Sequence, residues 1–322
     1  MRISDYLITF NLVSSIVAPH AKTNPTMGDK LATKDVMVYY HAANRRVFQG
    51  SVWLRNVPGA LAGASAALAR SGLNLVATSS SNISNTDLAE WAFFAEAGKG
   101  WAGLKKTQEV LEGCPGVVKS VLKEGNEGIV VDDLHYPLRL STGEPAMIIS
   151  RKTFRDMFNR LLTVFGSGGR AIIYELGLAS GVEDYTHFAR ILGSRGLQRR
   201  IPDLVSLYTA HGWGRVENAG GPRAEFSLRP FRGTLRVYDS FECTGASSKT
   251  PNGDFIRGHL EGFAQTLTGE MIKCEETKCV SMGDAYCQFE CHEEALPPHA
   301  PIRWKSEVWG SLNSKLSNEK FR

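Results

Sequence analysis

The sequence lacks a long apolar run and a strong charge of either sign, and it has only six cysteines in 322 residues. No segment approaches the ~20 apolar residues that a membrane helix needs, so no membrane partner is expected. The net charge of +4 is small, and no basic stripe with interleaved aromatics is present. Direct nucleic-acid binding is therefore not expected. Four of the cysteines lie in one short segment, which is unlike a secreted disulfide framework and favours a cytoplasmic protein.

Recognisable catalytic motifs are also missing. The eight histidines show neither H-x-x-E-H nor H-E-x-x-H spacing. The glycines of residues 166–169 lack the Lys-Ser/Thr pair of a phosphate loop, and the pattern predicts a helix before them and a strand, 171–176, after them. A phosphate loop needs the opposite order. These absences argue against an enzyme without deciding the question.

The first 46 residues are predicted to be an extension in front of the first domain. Residues 6–21 include an apolar run of signal-peptide length that ends in small residues. Asp5 and Asn11 are atypical of such a signal, and a true start at Met27 or Met37 explains the segment equally well. Both alternatives stay open.

Residues 47–124 are predicted to form a β-α-β-β-α-β domain. Four strands alternate with two helices, at 47–56, 58–72, 73–82, 89–97, 103–113 and 117–124. Gly72 is expected to end the first helix. This order is the split β-α-β, ferredoxin-like arrangement. The sequence therefore predicts an α+β protein that begins with this domain.

The loop after the first predicted strand resembles the ACT domain, a regulatory module that binds amino acids and other small effectors. The resemblance rests on Asn56, Pro58, Gly59, Leu61, Gly72 and Asn74. It implies an amino-acid-like ligand at a homodimer interface, with Arg55, Asn56 and Gly59 as candidate contacts. The alternative is that the glycines only serve the turns and that the domain merely dimerises.

The second half is predicted to be a separate α+β domain. Residues 125–145 are rich in glycine and acidic residues and are expected to be a linker, and residues 294–322 a Pro-rich, then polar, tail. Between them, 146–293 begins with an amphipathic helix capped by Ser150. Helical patterns at 182–193, 201–210 and 255–269 and short strands follow, ending in a hairpin.

Three stretches of this half resemble the 4-vinyl reductase (4VR) domain family: residues 146–181, 258–269 and 275–290. The last stretch carries the family's closing motif as Glu276, Cys279, Gly283, Asp284, Cys287 and Phe289. The resemblance implies a mixed helix and antiparallel-sheet domain that binds a small, often hydrophobic, molecule. In phenol-responsive members an aromatic residue stands at the position of Val237, so phenol is not the expected ligand.

The segment 274–291 is predicted to be an antiparallel hairpin in which Cys274 lies opposite Cys291. The resemblance implies that Glu276, Cys279 and Cys287 are three ligands of a structural zinc ion, which takes four. The fourth ligand stays open, with Cys243, Cys274 and Cys291 as candidates. The alternatives to a metal are inert core thiols and a Cys274–Cys291 disulfide or redox switch.

An apolar ligand pocket is expected in the second domain, because most ligand sites are built from aromatic and aliphatic side chains. The candidates are Trp213, Tyr238, Phe241, His259 and Phe263; ordinary core packing is the alternative for each. The favoured hypothesis is a cytoplasmic sensor that acts through a separate output protein. The alternatives are a reductase-associated enzyme or factor of tetrapyrrole or aromatic metabolism, and an acyl-binding scaffold.

Overall fold

The structure is a computed structural model that describes residues 33–82, 86–140, 143–193, 204–218, 227–228 and 230–294. The predictions for residues 1–32 and for the tail beyond residue 294 lie outside these ranges. The chain divides into two compact units, residues 1–146 and 147–322, and each is presented separately.

The first unit contains a four-stranded antiparallel sheet and two helices. In chain order its elements are β1 (Tyr39–His41), β2 (Val47–Arg55), α1 (Ala60–Arg70), β3 (Leu73–Asn82), β4 (Leu88–Ala97), α2 (Leu104–Glu112), β5 (Val117–Glu124) and β6 (Ile129–Val131). The sheet order is β3-β4-β2-β5, in which β4 separates the two strands that α1 connects. This is the predicted ferredoxin-like β-α-β-β-α-β arrangement.

One face of this sheet packs on the helices through a core of aromatic and aliphatic residues. Phe48, Trp91 and Phe93 are nearly inaccessible to solvent there. Gly72 has a φ of +84°, in the left-handed region, and follows the last turn of α1 as expected. The alternation of apolar residues in β2 and β4 therefore produces the predicted core.

The segment expected to be a linker, 125–145, contains part of the first unit. Strand β6 pairs with β1, and Val130 packs with Val47 and Phe94 on the sheet face away from the helices. The first unit thus extends on both sides of the predicted domain, because a two-stranded ribbon covers apolar residues that the sheet would otherwise expose.

The second unit packs helices against a five-stranded antiparallel sheet, as predicted. Its elements are α3 (Arg151–Phe165), α4 (Ser167–Leu192), α5 (Leu207–Ala210), β7 (Arg215–Asn218), β8 (Ser227–Leu228), β9 (Phe231–Tyr238), α6 (Asp254–Thr268), β10 (Ile272–Lys278) and β11 (Cys287–Glu293). The strand order is β10-β11-β9-β7, and β8 also pairs with β9. The Ser150 hydroxyl accepts a hydrogen bond from the Thr153 N–H and caps α3 as predicted.

The predicted strand 171–176 is wrong, because these residues lie inside α4, a helix of 26 residues. A short apolar run such as Ala-Ile-Ile does not distinguish a strand from a buried helix by periodicity. The helix is favoured by packing: Ile173, Gly177 and Gly181 are buried at four-residue intervals on one face. None of the described helices has both the length and the apolar content needed to cross a membrane.

Candidate metal centre and apolar cavity

Strands β10 and β11 bring the clustered cysteines together. Cys274 lies opposite Cys291 in the pairing, as predicted, and the two form a disulfide bond. A bulge between Glu276 and Lys278 then shifts the register, so that Lys278 pairs with Gln288. The disulfide alternative is therefore the arrangement of this pair, which leaves both cysteines out of a metal site.

The turn between the strands fixes the position of Cys279. The Asp284 carboxylate accepts a hydrogen bond of 2.8 Å from the Cys279 N–H, and a short 3₁₀ turn at Val280–Met282 follows. Gly283 ends that turn with a φ of +103°, a conformation that favours glycine. The Gly-Asp pair of the motif thus shapes the loop that presents the first thiol of the hairpin.

Four potential metal ligands converge beside this turn. The Sγ atoms of Cys243, Cys279 and Cys287 and a Glu276 carboxylate oxygen all lie within 4.8 Å of one another. The Sγ atoms of Cys279 and Cys287 are 4.0 Å apart. Tetrahedral zinc with Zn–S bonds of about 2.3 Å would separate two sulfurs by roughly 3.8 Å. The donor set and its spacing fit a zinc ion, and Cys243 is the candidate that supplies the fourth ligand.

Burial and mutual hydrogen bonding control protonation in this cluster. Burial, together with the hydrogen bond and charge of Cys279, raises the pKa of Glu276 to about 8. Hydrogen bonds from Cys243 and Cys287 lower the pKa of the Cys279 thiol, whereas the pKa of Cys243 is raised because it donates to Cys279. One thiolate among neutral donors is therefore favoured without a metal, and a cation would deprotonate the others.

The cluster is tied to the beginning of α6. The second oxygen of Glu276 accepts a hydrogen bond of 2.7 Å from the Gly253 N–H, the residue that precedes the helix. A Cβ atom at Gly253 would lie 2.8 Å from this oxygen, so the contact requires glycine. Next to Cys243, the buried Glu242 carboxylate accepts from the N–H groups of Phe255 and Ile256 at 2.7 and 3.2 Å.

A cavity of about 80 Å³ lies between α6, α5, the middle of α4 and the sheet. Most of its wall is apolar, formed by Phe188, Leu204, Val205, Leu207, Trp213, Phe231, Leu235, Leu260, Phe263, Ala264 and Leu267. Cys291 of the disulfide also contributes to the wall. Such a surface, next to a few polar groups, is the usual construction of a small-molecule site.

The polar part of the cavity wall includes a chain of three hydrogen-bonded side chains. His259 Nε2 lies 2.9 Å from Asp184 Oδ2, and His259 Nδ1 lies 2.6 Å from the Tyr208 hydroxyl. Tyr208 and His259 are buried, whereas the Asp184 side chain is 37% exposed. Burial raises the pKa of Tyr208 well above its ordinary value, so this hydroxyl keeps its proton.

The segment from β9 to β11 contains all four candidate metal ligands, and its sequence matches a known family over residues 234–293. These residues are a vinyl-4-reductase (4VR) domain. A curated relative is an uncharacterized protein of Methanocaldococcus jannaschii, 26% identical over 105 residues, or 32% of this chain. The match spans 60% of that relative's length.

Two solved structures resemble part of this chain. The phenol-responsive sensory domain of the transcription activator PoxR, with phenol, is 20% identical, with a TM-score of 0.40, covering 61% of this chain and 90% of that one. A vinyl-4-reductase family protein from Methanocaldococcus jannaschii is also 20% identical, with a TM-score of 0.33, covering 47% and 85%.

The structure places three of the five predicted pocket residues in the cavity wall of the second unit: Trp213, His259 and Phe263. Tyr238 and Phe241 are not among the residues that line it. Side chains alternate along β9, so Leu235 faces the cavity and Tyr238 faces the other side, against Tyr286 and Arg215. Phe241 is buried in an aromatic cluster, 5.6 Å from Phe154 between ring centroids.

The three residues predicted to bind an amino acid lie in one exposed loop of the first unit, between β2 and α1. Arg55, Asn56 and Gly59 are all exposed, and Gly59 has a φ of +89°. The Asn56 N–H donates to the carbonyl of Asp87 at 2.7 Å, which fixes the loop beside the beginning of β4.

Sequence reasoning missed Asp184 and Tyr208. Each stands in a helical segment whose local pattern gives no signal beyond amphipathicity, and the partner His259 is 75 and 51 residues away. Only the tertiary contacts of α4, α5 and α6 bring the three together. Glu242 was missed for the same reason, since its helix-capping role depends on residues that follow it by more than ten positions.

Proposed function

We propose that the protein is a small-molecule-binding sensor or regulatory protein whose second unit holds a small apolar ligand. The observation that carries this proposal is the cavity walled by α6, α5, α4 and the sheet, with its apolar lining and a short polar chain. The 4VR match over 234–293 supports a binding rather than a purely structural role. The cavity size favours a compact molecule.

The cavity proposal is tested by filling it. Ala264, buried on α6, lines the cavity, so Ala264→Leu should occupy part of the ligand space. Ala179→Leu makes the same change at an exposed position of α4 and is the matched control. A melting-temperature screen with small hydrophobic compounds should give shifts in the wild type and the control that Ala264→Leu reduces. Equal shifts in all three proteins would exclude the cavity as the site.

We further propose that Cys243, Glu276, Cys279 and Cys287 bind a structural zinc ion. When bound, the ion would act as a charge that holds the deprotonated thiols together, and these residues would brace the hairpin against the beginning of α6. Native mass spectrometry before and after denaturation tests this directly. Protein that carries no zinc after expression in zinc-supplemented medium would contradict the proposal.

For the first unit we propose that the exposed loop with Arg55, Asn56 and Gly59 binds an amino-acid-like effector, with the chain acting as a homodimer. The signal would pass to a separate output protein in the cytoplasm. Calorimetry with the common amino acids, repeated on Asn56→Ala, tests the effector. Sedimentation analysis tests the dimer, and a monomer at micromolar concentration would contradict it.

A further inference from the structure

The chain Asp184–His259–Tyr208 gives the cavity a defined hydrogen-bond polarity. All three side chains line the cavity, and their two hydrogen bonds measure 2.9 and 2.6 Å. The polarity follows from which atoms can donate. An ionised carboxylate only accepts, so His259 Nε2 must carry the proton that faces Asp184.

The neutral imidazole has a single N–H, so Nδ1 of His259 is an acceptor. The Tyr208 hydroxyl must then donate its only proton to Nδ1. Its oxygen keeps lone pairs and nothing to donate. Tyr208 is 8% exposed, so a molecule in the cavity, rather than bulk water, is the partner available to those lone pairs.

We propose that the ligand of this cavity is a compact apolar molecule with a hydroxyl or N–H group that donates a hydrogen bond to the Tyr208 oxygen. This inference rests on the proposed function, since it specifies the ligand class of the same cavity. Ketones, ethers and esters of the same size, which only accept, would place their lone pairs against those of Tyr208 and should bind more weakly.

The remaining wall favours one such group and no more. The residues that surround the chain are aliphatic or aromatic, with Leu260, Phe263 and Leu235 among them. His211, which also lines the cavity, is exposed, so water can serve its ring nitrogens. A second polar group on the ligand would lie against apolar carbon and lose its hydration.

Three probes of nearly equal size test the inference at pH 8: cyclohexanol, which donates; cyclohexanone, which only accepts; and cyclohexane, which does neither. Titration calorimetry or ligand-detected NMR on the full chain should show cyclohexanol binding about tenfold more tightly than cyclohexanone. In Tyr208→Phe, which keeps the ring and removes the oxygen, this preference should disappear.

A second variant reverses the polarity. In Asp184→Asn the amide can donate to His259 Nε2, which favours the tautomer with the proton on Nδ1. Nδ1 would then donate to Tyr208, whose own proton becomes free for the ligand. The preference should shift towards cyclohexanone, and ¹⁵N NMR of the imidazole nitrogens should show the change of tautomer. Asp184 is partly exposed, so the variant should fold.

The outcomes separate this inference from the function on which it rests. Equal affinities for all three probes in the wild type would overturn the donor inference and leave a ligand-binding cavity. Binding of none of them would overturn the proposed cavity function and the inference with it. A tautomer change in Asp184→Asn without any change in probe preference would also overturn the inference.

Discussion

Glycines on both helices allow α4 and α6 to pack with their backbones in close approach, and one substitution tests how much the second unit depends on this. A Cβ atom at Gly181 of α4 would lie 2.1 Å from the carbonyl oxygen of His259 and 2.8 Å from the Phe263 nitrogen, both on α6. Gly177, Gly258 and Gly262 make equally close approaches. Gly181→Ala therefore cannot be accommodated by rotating a side chain.

The expected cost follows from the geometry. Ordinary contact distances are near about 3.5 Å, so the helices would have to separate by more than about 1 Å. Overpacking of this kind costs about 1–3 kcal/mol, often more when backbone must move. Replacing a mid-helix glycine by alanine would alone stabilise the helix by about 1 kcal/mol. We expect a net loss of about 2 kcal/mol in the free energy of unfolding of the second unit.

Hydrogen exchange in increasing urea, read by mass spectrometry for peptides of α4 and α6, isolates this unit from the first one. Gly168→Ala is the matched control, because a Cβ atom there would meet only the Phe165 Cβ at 3.8 Å in the same part of the chain. The control should be unchanged or slightly more stable. A Gly181→Ala protein as stable as the control would refute the argument that close backbone packing orders these helices.

Three further outcomes are expected. Cys243→Ser should lose the zinc that native mass spectrometry detects, whereas Cys114→Ser, outside the cluster, should keep it; retained zinc in the first variant would remove Cys243 from the ligand set. In chelator, Glu276 binds its proton more tightly in the folded protein, with a pKa of about 8 against 4.5, so the free energy of unfolding should fall as the pH rises from about 5 to 8; Glu276→Gln should flatten this slope in urea titrations, and an unchanged slope would exclude Glu276 as its source. Alkylation of the denatured, unreduced chain should label four cysteines and, after reduction, six; six without reductant would mean that Cys274 and Cys291 are thiols.

The fold of the first unit could be predicted closely because its local signals agree with one another. Alternating apolar residues in β2 and β4, the helix end at Gly72 and the turn after α2 all specify the same arrangement. The hairpin of the second unit was predictable for a similar reason, since Cys274 and Cys291 fall opposite each other by simple counting from the turn.

The errors lie where tertiary packing decides. Residues 171–176 contain isoleucines and a tyrosine that favour a strand, and only the close approach to α6 makes a helix the better arrangement. Tyr238 was placed in the pocket although it is one residue out of phase with Leu235, because the sequence does not fix which face of β9 is buried. The position of Cys243 beside the hairpin depends on a loop whose course no local pattern predicts.

Helix α6 connects the candidate metal centre to the cavity. Its first turn is held by two carboxylates: Glu276, a candidate ligand, accepts from Gly253, and Glu242, adjacent to Cys243, accepts from Phe255. One turn later, the same helix carries His259 into the cavity wall. A ligand-binding group must be held to a few tenths of an ångström to discriminate between donors and acceptors. Binding of a metal at the hairpin would therefore order the beginning of the helix that positions the polar chain, which explains why a structural ion and a ligand cavity would occur together in this unit.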